Sequence, residues 1–194
     1  MPSKTTKLEA VNTVLSTVGS SPVNALTGAQ SADTRMAIST LDEVSREIQS
    51  VGWHFNTEDD MVLAPDATTS EIVLGDNVVR CDLSEYNTGN MDIVQRGNRL
   101  YDRVGHTYAF VNSIKATLVM LMDWDELPEP ARRYITSRAS RIFQDRMVGS
   151  QVHHQYTALD EFQARAALIE FEGDTADHSI FDNWSVGRIL YRRF

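Results

Sequence analysis

The spacing of apolar residues changes twice along the chain, and this change constrains the fold more than any other feature. Over residues 8–51, and again over about 129–169, apolar residues recur every three or four positions, which is the period of an amphipathic helix. Over residues 53–124 they form short runs separated by glycine, proline, asparagine and aspartate, as in antiparallel sheet. This order predicts an α+β fold: a helical bundle with an inserted antiparallel β lobe.

The helical parts of the sequence predict about four helices. The first ends at Gly19, and the third begins at the prolines of residues 128–130. The second covers about residues 32–51 and has Ser31 or Asp33 as its cap. Their apolar stripes suit packing of helix against helix. The predicted buried residues are Ala37, Leu41, Val44, Ile48 and Val51 in the second helix, and Val152, Tyr156, Leu159, Phe162, Ala166 and Ile169 in the fourth.

The third helix combines an apolar face with a row of arginines. These are Arg132, Arg133, Arg138, Arg141 and Arg146. A basic face of this kind is able to hold phosphate, but pairing with acidic side chains or with a neighbouring subunit is the better interpretation. In the fourth helix, Glu161 stands four residues before Arg165, a spacing that allows an ion pair within one helix.

A hairpin is the clearest element of the β lobe. Gly97 and Asn98 separate two runs of equal length, residues 93–96 and 99–102, and glycine supplies the positive φ that a two-residue turn needs. At the junction between the second helix and the sheet, we interpret the aromatic pair Trp53 and Phe55 as a core hinge rather than a ligand site.

These patterns divide the chain into three parts. Residues 1–52 and 125–173 are predicted to form the helical bundle, and residues 53–124 the β lobe. Residues 174–194 are predicted to form an extended C-terminal arm, because they carry large apolar residues without helical length. Such an arm cannot build a core of its own, so it either frays or docks on another surface.

The charge of the chain limits its partners. It has 18 Lys and Arg against 27 Asp and Glu, which gives a net charge of −9. This balance argues against a protein that wraps nucleic acid, because wrapping requires concentrated basic residues. It does not argue against a protein past which DNA slides, since like charges prevent adhesion. There is no apolar run of the roughly 20 residues that a spanning helix needs and no apolar signal sequence, so we expect a soluble, intracellular protein.

The sequence contains few motifs of enzymes or metal sites. It lacks a glycine-rich phosphate loop, a Gly-x-Ser-x-Gly elbow and a His-Glu-x-x-His pair. Cys81 is its only cysteine, which fits a small buried residue better than a nucleophile. The adjacent His153 and His154 would point about 100° apart on a helix and so cannot both bind one ion. We expect no catalytic residue, no metal and no cofactor.

Two carboxylate clusters leave an enzymatic alternative open. They are Glu58-Asp59-Asp60 and the group Asp123, Asp125 and Glu126. Paired carboxylates are the groups that cleave glycosidic bonds or hold divalent ions. Both clusters are predicted to lie in polar links, where solvated charge is expected in any case.

The segment of residues 46–58 resembles a signature of the tail tubular protein A family, the adaptor or gatekeeper ring of short-tailed bacteriophages. It reads REIQSVGWHFNTE. The resemblance covers about residues 8–149, and the last 45 residues match less clearly. Further stretches match in order: Gly19-x-x-Pro22-Val23, Leu63-Ala64-Pro65-Asp66, Tyr101-Asp102-Arg103, Asp123-x-Asp125-Glu126-Leu127-Pro128-Glu129 and Ala139-Ser140-Arg141-x-Phe143.

The resemblance implies a structural role and no catalytic residues. It implies a dodecameric ring below the portal protein that joins it to the tail nozzle, tail tubular protein B, and contacts the tail fibres. Such a ring helps to retain the packaged genome and forms part of the conduit for its ejection, without sequence-specific binding of DNA. The expected location is the virion tail, assembled in the host cytoplasm, with no membrane contact.

Within this framework, three sets of residues are candidates for contacts. For the portal they are Trp184, Arg188, Ile189, Leu190, Tyr191, Arg192, Arg193 and Phe194 of the arm, which have no internal core to join. For the nozzle or fibres they are Arg96, Gly97, Asn98 and Arg99 of the hairpin. For the acidic lining of the lumen they are Glu58, Asp59, Asp60, Asp76 and Asp92.

Two alternatives come from other classes of protein. One is a glycan-cleaving tail enzyme that uses Asp123, Asp125 or Glu126. The other is a cytosolic helical regulator that binds a partner through its arm and remains a monomer or dimer at all concentrations.

Overall fold

The helices and strands of the computed structural model follow the two periods of the sequence. The structure describes residues 4–84 and 91–175. A short 3-10 turn, His54–Asn56, lies between the first helical pair and the sheet. The combination of four helices with two antiparallel sheets confirms the predicted α+β class. The helices are α1 (Lys7–Ser16), α2 (Ala32–Gln49), α3 (Glu129–Met147) and α4 (Gln151–Thr175), and the strands are β1 (Thr57–Leu63), β2 (Val78–Leu83), β3 (Ile93–Arg96), β4 (Arg99–Asp102) and β5 (Ile114–Met120).

Short polar side chains set where α1 and α2 begin. The Thr6 hydroxyl accepts a hydrogen bond from the Glu9 amide, and the Glu9 carboxylate accepts one from the Thr6 amide, at 2.7 Å. This reciprocal pair satisfies two donors that a helix start leaves free. Ser31 caps α2 by accepting from the Thr34 amide at 3.1 Å, which confirms one of the two predicted caps.

Helix α3 lies at the centre of the bundle. It packs against α1, α2 and α4, whereas α4 packs mainly against α3. The four helices share one apolar core, whose largest buried side chains include Leu15, Leu41, Ile135, Phe143 and Leu168. Because α4 borders the bundle on one side of α3 only, the opposite face of α4 has no helical neighbour among residues 4–84 and 91–175.

The strands form two antiparallel sheets with a second apolar core. One sheet has the order β1-β5-β2, and the other is the β3–β4 hairpin. Arg96 pairs with Arg99 across the turn, and Gly97 has a φ of 62°, so the predicted two-residue hairpin is confirmed. Glu71 and Val73 make isolated bridges, to Ala109 and Arg99, instead of belonging to a strand of their own. The buried residues of this core are Ile72, Leu74, Val78, Cys81, Ile93, Leu100, Phe110, Ile114, Ala116 and Leu118.

Two buried carboxamides join the end of α2 to the end of β5. The Gln49 side chain accepts from the Met122 amide at 2.7 Å and donates to the Met122 carbonyl at 3.3 Å. The Asn56 side chain donates to the carbonyls of Gln49 and Met120, at 2.9 and 2.7 Å, and accepts from the Trp53 amide at 2.8 Å. We call this set of contacts the amide clamp; it satisfies the backbone groups where the bundle meets the β lobe.

The predicted burial of Val51 and the predicted exposure of Arg132 are wrong, each for a physical reason. Val51 is 59% exposed, because α2 ends at Gln49 and the chain turns away before Gly52, whose φ is 83°. Arg132 is buried rather than on the basic face. Its guanidinium donates to three backbone carbonyls, those of Thr5, Asp125 and Leu127, and so closes the turn before α3.

The prediction of an arm concerns residues that the structure barely covers. All eight portal candidates, from Trp184 to Phe194, lie outside the described residues. The division of the chain into residues 1–52 with 125–173, 53–124 and 174–194 stays a prediction.

The amide clamp generates a prediction about stability. Replacing Gln49→Met keeps a long side chain but leaves the Met122 amide without its buried partner, so the free energy of unfolding should fall by about 1–3 kcal/mol. Urea denaturation followed by circular dichroism measures it. As a matched control, Gln155→Met on the exposed side of α4 should change stability by less than about 0.5 kcal/mol. Equal effects of the two substitutions would contradict the role of the clamp.

Candidate functional site

The β3–β4 hairpin presents two arginines that are fixed by aromatic rings. The guanidinium of Arg96 lies 3.7 Å from the centre of the Tyr101 ring, and that of Arg99 lies 4.6 Å from the centre of the Tyr108 ring. The two rings contact each other edge to face, with centres 4.9 Å apart. Arg99 also pairs with Glu71 at 2.9 Å. Cation–π contacts of this kind favour a defined position for each guanidinium, so the hairpin offers an ordered basic surface.

Two of the predicted lumen residues contact this hairpin or the residue that follows it. The Asn98 side chain at the tip donates to the Asp76 carboxylate, and the Asn98 carbonyl accepts from the Leu74 amide at 2.8 Å. At the base, Asp92 pairs with Arg103 at 3.1 Å. The structure therefore joins Asp76 to the nozzle candidate Asn98, and Asp92 to Arg103 directly after β4, rather than to the other acidic residues.

The other three lumen candidates are consecutive and exposed on β1. A β-bulge falls between Glu58 and Met61, and Asp60 has a φ of 54°. The bulge turns the side chains out of regular alternation. Thr117 of β5 donates to the Asp59 carboxylate at 2.8 Å, and the Ser84 hydroxyl donates to the Asp60 carboxylate. This places three carboxylates together on an edge strand of the sheet.

Three arginines of α3 pair with acidic residues, as the interpretation of this helix predicts. Arg138 bonds to Glu47 of α2 at 2.5 Å and to Glu161 of α4 at 2.8 Å. Arg141 also bonds to Glu161. Arg146 donates two hydrogen bonds to the carboxylate of Glu43 in α2, at 2.9 and 3.1 Å. Glu161 thus binds α3 rather than Arg165 of its own helix.

The Glu161 carboxyl group has a shifted pKa. Burial raises the pKa, but hydrogen bonds from Arg141 and Arg138 outweigh burial, and the pKa lies below its ordinary value. The ionised form is therefore favoured in the folded protein. Its contribution to stability is present above the ordinary pKa of a glutamate and is lost as the pH falls through the lowered pKa.

The predicted inner face of α4 points outward, which corrects the sequence interpretation. Of the predicted residues, Tyr156 is 71% exposed and Phe162 is 68% exposed. The face that packs on α3 instead contains Ala164, Leu168 and Glu161. The spacing of the apolar residues is helical, but a different side of the helix meets the bundle. We call the exposed set the outer stripe; it consists of Val152, Tyr156, Leu159, Phe162, Ala166 and Ile169.

The carboxylates of the enzymatic alternative form a turn before α3. Asp123, Asp125 and Glu126 are exposed, and the Glu126 carboxylate accepts from the Asp123 amide at 3.1 Å. A glycosidase needs one carboxylic acid that an apolar site keeps protonated. These exposed side chains have no such surroundings, so no observation favours glycan cleavage.

Other reactive groups give no site either. Burial, together with the neighbouring Asp82, raises the pKa of the Cys81 thiol to about 11, which keeps it protonated at neutral pH. Within residues 4–84 and 91–175, no three histidine, cysteine or acidic side chains are grouped to hold a metal ion. None of the helices in these ranges has the length and apolar character needed to cross a membrane.

A family model described as Tail tubular protein (Tube) matches residues 8–178. No curated protein matches the chain significantly. The family match includes α1, the whole β lobe, α3 and α4, and therefore nearly all of the described structure.

The arginine contacts of Glu161 generate a prediction that depends on pH. Glu161→Gln removes the charge that two guanidinium groups share, so at pH 7 it should lower the free energy of unfolding by about 1–3 kcal/mol. At pH 3, below the ordinary pKa of a glutamate, the difference from the unmodified chain should shrink, because the unfolded state takes up a proton there that the folded carboxylate resists. Urea denaturation at the two pH values measures this. The exposed Glu58→Gln serves as control; a loss that is the same at both pH values would contradict the ionic role.

Proposed function

Because the chain belongs to the tail tubular protein family, and is thus a structural component of a phage tail, we propose that it is the adaptor between portal and nozzle. The match over residues 8–178 carries this proposal. The surfaces described above support it, since they are exposed patches suited to contact with other proteins rather than a pocket for a small substrate.

The proposed assembly is a ring of about twelve copies, with the number taken from the family resemblance. In a cyclic ring, one face of each copy meets a different face of the next. Twelve copies at −9 each would carry roughly −108 before counterions bind. A ring of this charge repels a DNA backbone, so the genome can pass without adhering to the wall.

The acidic edge of β1 is the proposed lumen surface. Glu58, Asp59 and Asp60 are consecutive and exposed, so they present a band of negative charge. Asp76 and Asp92 are assigned with the hairpin instead, because they bond to it or to the residue that follows it. In the proposed particle the ring helps to hold the packaged DNA and later forms part of the ejection conduit.

The hairpin and the C-terminal arm are the proposed contacts along the tail axis. Arg96 and Arg99 are held by tyrosine rings, which suits a surface for the nozzle, tail tubular protein B, or for tail fibres. The arm, residues 174–194, is assigned to the portal by its apolar and arginine side chains. Assembly would take place in the host cytoplasm, without a membrane step.

The main experiment removes the chain from the virus. Particles made without it are expected to package DNA but to lose it, and to lack the nozzle in electron micrographs. Nuclease sensitivity of the DNA measures the loss. Particles that keep their genome and carry a complete tail would overturn the proposal. The variant Asp125→Asn is expected to assemble normally. If the unmodified chain releases reducing sugar from host envelope polysaccharide and Asp125→Asn assembles but does not, the glycan-cleaving alternative would be supported instead.

A crossed experiment separates the two axial contacts. Deletion of residues 180–194 should abolish binding to portal and leave binding to nozzle unchanged. The double substitution Arg96→Ser with Arg99→Ser keeps the turn of Gly97 and Asn98, and it should weaken binding to nozzle by roughly tenfold or more without affecting portal. Each variant is the control for the other. Unchanged binding in either case would refute the corresponding assignment.

A further inference from the structure

The outer stripe of α4 is a large apolar surface without a partner in the described part of the chain. It runs over 18 residues from Val152 to Ile169, or about 26 Å of helix. Two of its members are aromatic rings that are more than two thirds exposed, Tyr156 and Phe162. We estimate the exposed apolar area as about 500 Å², which is near the upper end of what a monomeric protein leaves uncovered. A surface of this size indicates an interface.

Two carboxylates lie along the outer stripe. Asp160 and Glu170 are exposed, and neither has a hydrogen-bond or ion-pair partner within residues 4–84 and 91–175. Their separation of ten residues corresponds to about 15 Å along the helix. The partner of this stripe is therefore expected to be apolar along its length and to carry two cations at a matching distance.

A groove beside α2 has these properties. It has a volume of about 600 Å³ and lies between α2 and the link that precedes it. Its apolar lining includes Leu26 and Ile38, and its charged lining includes Arg35 and Arg46, which are eleven residues apart, or about 16 Å along α2. The spacing of the two guanidinium groups thus matches the spacing of the two carboxylates on α4.

The α2 groove is positive because the carboxylates of α2 are already paired. Asp42, which also lines the groove, pairs with Lys7 at 2.7 Å. Glu43 and Glu47 pair with arginines of α3. In the described residues, by contrast, the guanidinium groups of Arg35 and Arg46 have no ion-pair or hydrogen-bond partner. The hydrogen bond from Arg146 lowers the pKa of Glu43, and the charge of Arg46 contributes a smaller part of that shift. An acidic apolar helix is the complement of such a groove.

We propose that the outer stripe of one copy docks into the α2 groove of the next copy, with Asp160 and Glu170 meeting Arg35 and Arg46. This inference rests on the proposed ring and identifies the surfaces that build it. Since α3 separates α4 from α2 within one copy, the two surfaces face different sides of the bundle. A contact between different surfaces repeats from copy to copy, which is the type of interface that a cyclic ring uses when the rotation between copies closes.

Charge reversal tests the pairing. The stripe variant Asp160→Arg with Glu170→Arg, and the groove variant Arg35→Glu with Arg46→Glu, should each raise the apparent dissociation constant of self-association by roughly tenfold or more. Sedimentation velocity over a concentration series measures this with the full chain. Circular dichroism checks the fold of each variant, since all four positions are exposed. Phe162→Asp should have a similar effect, whereas Val111→Asp, at a site that is 94% exposed in the β lobe, should have none.

Mixing the two reversed variants gives the decisive result. In an alternating ring, the introduced arginines of one variant meet the introduced glutamates of the other, and the unmodified stripe meets the unmodified groove. The equimolar mixture should therefore recover assembly that neither variant shows alone. Failure of the mixture to recover assembly, or self-association of each variant equal to that of the unmodified chain, would overturn the pairing.

Two further outcomes separate this inference from its premise. If the unmodified chain assembles and the reversed variants assemble equally well, the ring stands and this interface is refuted. In the second outcome, the unmodified chain stays at 21.8 kDa over the whole concentration series, and the thiol of Phe162→Cys is shielded from thiol reagents only while residues 176–194 are present. The stripe then binds the chain's own C-terminal segment, and the inference fails. Loss of genome retention in particles that lack the chain does not depend on either outcome.

Discussion

Gln49 and Asn56 hold together the two halves of this protein. The chain crosses from helix to sheet near residue 50 and returns near residue 121, and each crossing leaves backbone groups that neither element can bond. The two carboxamides bond to these groups from within the protein, at distances of 2.7–3.3 Å. The orientation of the β lobe on the bundle depends on them. Residues 46–58, which carry the resemblance to the family, are the same stretch, so the signature corresponds to this junction.

The features that the sequence predicts correctly are those that local chemistry decides. Ser31 caps α2 because a serine before an amphipathic run can bond to the free amides of the first turn. Gly97 turns the hairpin because only a residue that accepts positive φ fits there. The α+β class follows from the two periods, since each period suits one type of backbone. None of these inferences requires knowledge of what a side chain will meet across the fold.

The features that could not be predicted depend on partners far away in sequence. The apolar spacing of α4 correctly indicates an apolar face, but it does not specify whether that face meets α3 or another molecule. Arg132 stands three residues before Ile135, on the apolar side of α3, and this position was the available signal that it is buried. Its three carbonyl acceptors come from segments that only the folded chain brings together. The role of Gln49 likewise depends on Met122, 73 residues away.

The way α4 is attached has a consequence for how such a protein assembles. Only two of its apolar side chains, Ala164 and Leu168, are fully buried, and the ionic contacts of Glu161 with α3 add to this attachment. Salt screens such partly buried ion pairs, although less than it screens exposed ones. The free energy needed to detach α4 locally is therefore smaller than that for α3, and it decreases as ionic strength rises. The helix that carries the exposed apolar surface is thus the one that is most easily displaced from the bundle. Its position can therefore adjust as neighbouring copies bind during assembly.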